Sequence, residues 1–174
     1  FCRDESPVSL TLKNNILQAG MLRIFKTRQG LISSSPNFHF LKPSNDHCNA
    51  FIRASNLLVA GEEVAFLAIS LLPLLKPQPN RIYVDTSSIS YLVCKAVLMS
   101  GRYGGRVPLI ESYESYTAVN QSFDFVEAPE SLVLISATTS GGLASKILNG
   151  TTFPNRQVVT LFYSKLIGDQ IGIY

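Results

Sequence analysis

Ser131-Leu132-Val133-Leu134-Ile135-Ser136-Ala137-Thr138-Thr139-Ser140-Gly141-Gly142-Leu143 is the stretch on which the reading of this chain turns. Its first six residues are almost continuously apolar, the pattern of a strand buried on both faces. A glycine-containing turn rich in hydroxyls follows, and from about Gly142 to Leu148 the chain reads as a helix. The same alternation recurs around it. Arg81 to Thr86 reads as a strand, Ser88 to Ser100 as a helix closed by Gly101, Arg106 to Ile110 as a strand, and Gln157 to Tyr163 as another. Buried strands alternating with helices predict an α/β domain on an open, mainly parallel, Rossmann-like sheet with helices on both faces.

Upstream, Leu10, Leu12, Ile16, Leu17, Met21 and Ile24 recur at near-helical spacing and predict an N-terminal helix. A loop is expected at Ser33 to Pro36. Phe38 and Phe40 on one side of Pro43-Ser44-Asn45-Asp46, and Phe51 and Ile52 on the other, predict a short antiparallel hairpin. Gly61 opens a helix with Glu62 and Glu63 in its first turn, where the helix dipole favours acids; it should end near Pro77.

The 174 residues read as a single domain, 1–174, with only 16% Asp, Glu, Lys and Arg and 46% hydrophobic residues. An ordinary soluble domain is about 25% charged. This composition excludes disorder, collagen-like repeats and coiled coil. The longest largely apolar run, Val64 to Leu75, contains Pro73 and is 12 residues long, short of the roughly 20 that span a bilayer, so no membrane role is expected. The first residues carry acids with no apolar stretch behind them, unlike a secretory leader. From the absence of an initial Met and the fresh apolar run Ile171 to Tyr174, the expectation is that the chain is part of a longer protein. Cys2, Cys48 and Cys94 are widely spaced, and His47-Cys48 is a poor chelate. They read as reduced thiols in a cytoplasmic protein, with no metal site.

The net charge of +3 hides an asymmetry. Residues 1–106 hold 12 Lys/Arg and 6 Asp/Glu, whereas residues 107–145 hold no Lys or Arg and five acids: Glu111, Glu114, Asp124, Glu127 and Glu130. The basic residues are scattered singly, without the clustering a nucleic-acid face needs.

Ligands of open parallel sheets sit at the carboxyl ends of the strands. Two loops fall there. Thr138, Thr139, Ser140, Gly141 and Gly142 offer glycines, hydroxyls and N–H groups at a helix start, a phosphate-receiving combination. The alternative is an ordinary strand-to-helix turn capped by Ser or Thr. Neither the P-loop nor G-x-G-x-x-G pattern is present. In the second loop, Asp85 could orient a hydroxyl or cap the turn, and Ser87 or Ser88 could contact ligand or cap the following helix. Glu111 and Glu114 read either as a general base or cation clamp, or as part of a solvated, Tyr-rich or protein-binding strip, Glu111 to Tyr116.

Leu132-Val133-Leu134-Ile135, followed by Ser140 and Gly142 at fixed offsets, resembles the phosphoribosyl pyrophosphate signature of type I phosphoribosyltransferases. Phe40 to His47 with Phe51-Ile52-Arg53 is similar to the hairpin of orotate phosphoribosyltransferases, and Asp85 to Ser90 to their pyrophosphate loop. The segments Lys42-Pro43-Ser44 and Phe51 to Asn56 also look like bacterial phosphoribosyltransferase-like proteins, some suspected of anti-phage roles. The likeness covers about residues 10–165. It implies a phosphoribosyltransferase-like fold and a site for a phosphorylated ribose compound or nucleotide.

Departures from the family pattern are specific. Its two acidic positions, which in the family grip the ribose hydroxyls, hold Ser136, which implies a single hydrogen bond to the ribose, and Ala137, which offers none. Its mobile catalytic loop maps to about residues 111–130, which supply five acids and no cation to a departing pyrophosphate, where electrostatic stabilisation matters most. Mg2+, or Lys42, Arg53 and Arg102, would have to compensate. The expectation is a divergent phosphoribosyltransferase-like domain that binds phosphorylated ribose or nucleotide, with transferase activity weakened or lost. The alternatives are a protein-interaction module, serving a partner, another domain of the same protein or a homodimer, and an active transferase or nucleotide N-glycosidase using Glu111 or Glu114.

Overall fold

The computed structural model describes residues 9–41, 47–75, 78–114 and 123–173. Lys42, the turn Pro43 to Asp46, Cys2, Pro77 and Tyr116 lie outside them.

The chain enters through α1 (Leu10–Thr27), whose first turn is capped by Ser9 Oγ accepting from the Leu12 N–H. Two short antiparallel ladders follow. β1 (Leu31–Ser33) pairs with β4 (Ala50–Ile52), and β2 (Phe40–Leu41) pairs with β3 (His47–Cys48). The expected single hairpin is therefore two. Phe40 and Phe51 do meet, edge to face with ring centroids 4.8 Å apart. The backbone of Phe51 and Ile52, however, bonds to Leu31 and Ile32, in a segment whose serines read as loop. α2 (Gly61–Leu71) begins with Glu62 and Glu63 as expected, and Glu63 holds Arg28 at 2.7 Å, tying it to the end of α1.

The sheet then forms from β5 (Arg81–Val84), β6 (Leu109–Ser112), β7 (Ser131–Thr138), β8 (Val158–Tyr163) and β9 (Ile171–Gly172). All its pairings are parallel, in the order β6-β5-β7-β8-β9. α3 (Ser90–Ser100) joins β5 to β6 and ends at Gly101, which takes a left-handed φ of 62°. α4 (Gly142–Gly150) joins β7 to β8.

Two strands depart from expectation. β6 starts at Leu109 rather than Arg106. Gly104 and Gly105 both have positive φ, Arg106 closes a turn onto Tyr103, and Pro108 has no N–H to give a ladder. β9, in the stretch read as a fresh apolar run, is the fifth strand of the sheet. Gly172 is required there because a Cβ would strike the Tyr163 ring.

The sheet is covered on both faces. Ile82, Val84, Leu132, Leu134, Val159 and Leu161 join the buried residues of α1, α2 and α3. Tyr83, Val133, Ile135 and Val158 pack with α4 and with Tyr113, Phe123, Phe125 and Phe153. Each fully buried aliphatic side chain contributes about 1.5–3 kcal/mol, so β7, buried from Ser131 through Ser136, is the spine of the domain. No helix among the described residues is long and apolar enough to cross a membrane.

Candidate functional site

Strand order places the candidate site. From β5 the chain crosses to β6 on one side and then to β7 on the other, so the direction of winding reverses between β5 and β7. In open α/β sheets the crevice beyond the carboxyl ends at such a reversal is where ligands bind. The two loops singled out from sequence, Asp85 to Ser90 and Ser136 to Gly142, leave the sheet at that point.

Asp85 joins them. It lies one residue past β5, its N–H donating to Leu134 O at 3.2 Å. Its Oδ1 accepts the Ser136 N–H and its Oδ2 accepts the Ser136 hydroxyl, both at 2.8 Å. Asp85 is only 5% exposed. Burial pushes its carboxyl up to about 6, while the Ser136 bonds pull the other way. Beside it, Tyr113 is wholly buried and its hydroxyl has no hydrogen-bond partner among the described residues. Burial, then the Asp85 charge, raise that phenol well above its ordinary range. Asp85 thus holds the hydroxyl of Ser136. Ser136, expected to contact ribose, is thereby buried and committed to Asp85.

In the first loop the cap belongs to Thr86 rather than to Ser87 or Ser88. Thr86 Oγ1 accepts the Ser88 N–H at 3.4 Å at the start of a 3-10 turn, Ser87–Ile89. Ser87 and Ser88 remain exposed at the edge. In the second loop Thr138 Oγ1 accepts from Ser140 N–H at 3.3 Å and from Gly141 N–H at 2.8 Å, so part of the turn is satisfied internally. Thr139 is half-buried and Ser140 exposed. Gly141 has φ 72°, a conformation that favours glycine. It precedes α4 without giving a side-chain cap, so the N–H groups of the first turn, at Gly142, Leu143 and Ala144, face the edge uncapped. Gln170 straps this turn from the β8–β9 connection, its Nε2 donating to Gly141 O at 3.0 Å and to Ser145 Oγ at 2.8 Å. Nothing in the sequence near Gln170 flagged it.

The remaining candidates are dispersed. Glu111 lies within β6, and its Oε2 takes Arg81 Nη1 at 2.7 Å. Glu114 follows on an exposed turn with φ 51°, so the two glutamates share neither a helix face nor a strand. Tyr113 between them belongs to the core rather than to a solvated strip, because Phe123 and Phe125 pack on its ring at 5.9 and 5.3 Å. Glu127 accepts from the N–H and hydroxyl of Thr152. Arg53 is exposed beyond β4, with its N–H on Gly30 O at 2.8 Å.

For Mg2+ the fit is poor. Both oxygens of Asp85, the acid at the crevice, accept from Ser136, and no group of three or more His, Cys, Asp or Glu able to hold a metal occurs among the described residues. No protein-family model and no curated protein matches the chain.

Proposed function

We propose that this is a divergent phosphoribosyltransferase-like domain that binds a phosphorylated ribose compound or nucleotide at the crevice between β5 and β7, with ordinary transferase chemistry weakened or lost. The observation that carries the reading is the uncapped first turn of α4, at the point where the winding of the sheet reverses. Helix N-termini of this kind attract phosphate through free N–H groups and the helix dipole. Exposed Ser87, Ser88 and Ser140 add hydroxyls along the same edge.

The weakening or loss of transferase chemistry is supported by what three of the carboxylates are doing. Asp85 is held by Ser136, Glu111 by Arg81 and Glu127 by Thr152. None of these is left as an unengaged base, and no cation in residues 107–145 is available for a departing pyrophosphate. Calorimetric titration with phosphoribosyl pyrophosphate, ribose 5-phosphate and nucleotides, with and without Mg2+, tests the reading. Saturable binding of one of them that Gly142→Asp weakens is expected; no heat from any of them overturns it.

A second reading, a non-catalytic interaction module, is favoured by one observation. The first half of α1 carries Leu10, Leu12 and Ile16 outward, at 72%, 53% and 53% exposure. Light scattering across a concentration series separates a self-associating domain from a monomer, and Leu12→Glu with Ile16→Glu would dissolve such an assembly.

A further inference from the structure

A cavity of about 730 Å³ opens between the last turns of α1, the β1–β4 pair and the end of β8. Its volume lies in the range that takes a small molecule. Leu22, Phe25, Leu31 and Ile52 give it apolar walls, and Lys26 is the charged residue of its described lining. Lys26 sits in the last turn of α1, where a cation suits the helix dipole. Lys26 is exposed, so its charge stays in contact with solvent at the cavity. The ion pairs among the described residues are Arg28 with Glu63 and Arg81 with Glu111, and neither uses Lys26.

The backbone at the rim is strained. α1 ends with Gly30 N–H donating to Phe25 O at 2.9 Å and Gln29 N–H donating to Lys26 O at 3.3 Å. This termination favours glycine at the left-handed position. The glycine of the chain comes one residue later, at Gly30, where a Cβ would meet the Phe25 ring at 2.8 Å and Leu57 at 2.9 Å. Gln29 therefore takes the left-handed conformation, with φ 52°. Asn56 Nδ2 secures it by donating to Gln29 O at 3.2 Å. Backbone strain of this kind collects at ligand clamps, and here Gln29 and Asn56 line the same cavity as Lys26.

We propose that this cavity binds a small apolar carboxylate, its hydrocarbon against Phe25 and Ile52 and its charge at Lys26. The inference is independent of the phosphate turn. Calorimetric titration of the chain with octanoate and with 1-octanol tests it. Octanoate should bind at one site per chain, roughly fivefold tighter than octanol, the value of one rim-exposed charge pair. Lys26→Met should erase that preference while octanol binding stays. Leu31→Trp, at an exposed lip of the cavity, should weaken both ligands while circular dichroism remains unchanged. Absence of octanoate binding, equal binding of the two ligands by the unaltered chain, an octanoate affinity indifferent to Lys26→Met, or binding indifferent to Leu31→Trp would each overturn it.

Discussion

Replacing Asp85 by Asn probes the junction of the two loops directly. The amide is isosteric with the carboxylate. Its oxygen can still accept the Ser136 N–H, and its NH2 can donate to the Ser136 oxygen that formerly gave a proton to Oδ2. What disappears is a buried charge. The Asp85 carboxyl moves from an ordinary 3.8 to about 6 on folding, chiefly through burial. The folded state therefore holds the proton more tightly than the unfolded chain, and stability falls as pH rises through that window. At 1.36 kcal/mol per unit, the shift of about two units costs the native protein about 3 kcal/mol once Asp85 is ionised. About 2 kcal/mol of this develops between pH 4.5 and 7.5. Asp85→Asn removes the cost, so the stability difference, variant minus parent, should grow by that amount over the same interval. Other carboxylates cancel in the difference. The chain has no Trp, so urea unfolding is best followed by circular dichroism. A difference that stays flat with pH, or that shifts in favour of the parent as pH rises, would refute the assignment of Asp85 as a desolvated acid.

Tyr113→Phe removes a buried hydroxyl that has no partner among the described residues. It should raise stability by about 1 kcal/mol, read as a higher melting temperature, because an unsatisfied buried polar group costs about that much or more. Thr138→Val keeps the shape of the turn but removes the oxygen that accepts from Ser140 and Gly141. A loss of about 1 kcal/mol in urea unfolding is expected, with weaker binding of phosphorylated ligands in calorimetry; unchanged stability would mean that the oxygen does not hold the turn.

The parallel sheet was legible because its information is local. Leu132 to Ile135 is apolar without alternation, and Val158 to Phe162 is apolar apart from Thr160, which is enough to mark strands covered on both faces. Asp85 was recognisable as a strand-end acid, but which hydroxyl it would hold depended on β7 lying beside β5, a fact of strand order rather than of spacing. The β1–β4 pair and β9 are too short to show any period. Tyr113 looked solvated because glutamates flank it, whereas its burial is decided by Phe123 and Phe125 beyond an intervening segment. Assigning a cap to Ser87 or Ser88 missed Thr86 by a single step, the usual uncertainty of an element boundary.

Gln170 bears on how the domain opens. Its side chain fastens the connection before β9 to Gly141 and Ser145, and its Oε1 accepts the Ile167 N–H at 3.1 Å. Releasing β9 from the sheet edge therefore breaks the bonds that brace the start of α4. In hydrogen exchange, amides around Ser145 and those of Thr160 and Ile173 belong to one cooperative opening. The edge strand is thus a thermodynamic latch on the turn, and its local stability sets how often that turn comes undone.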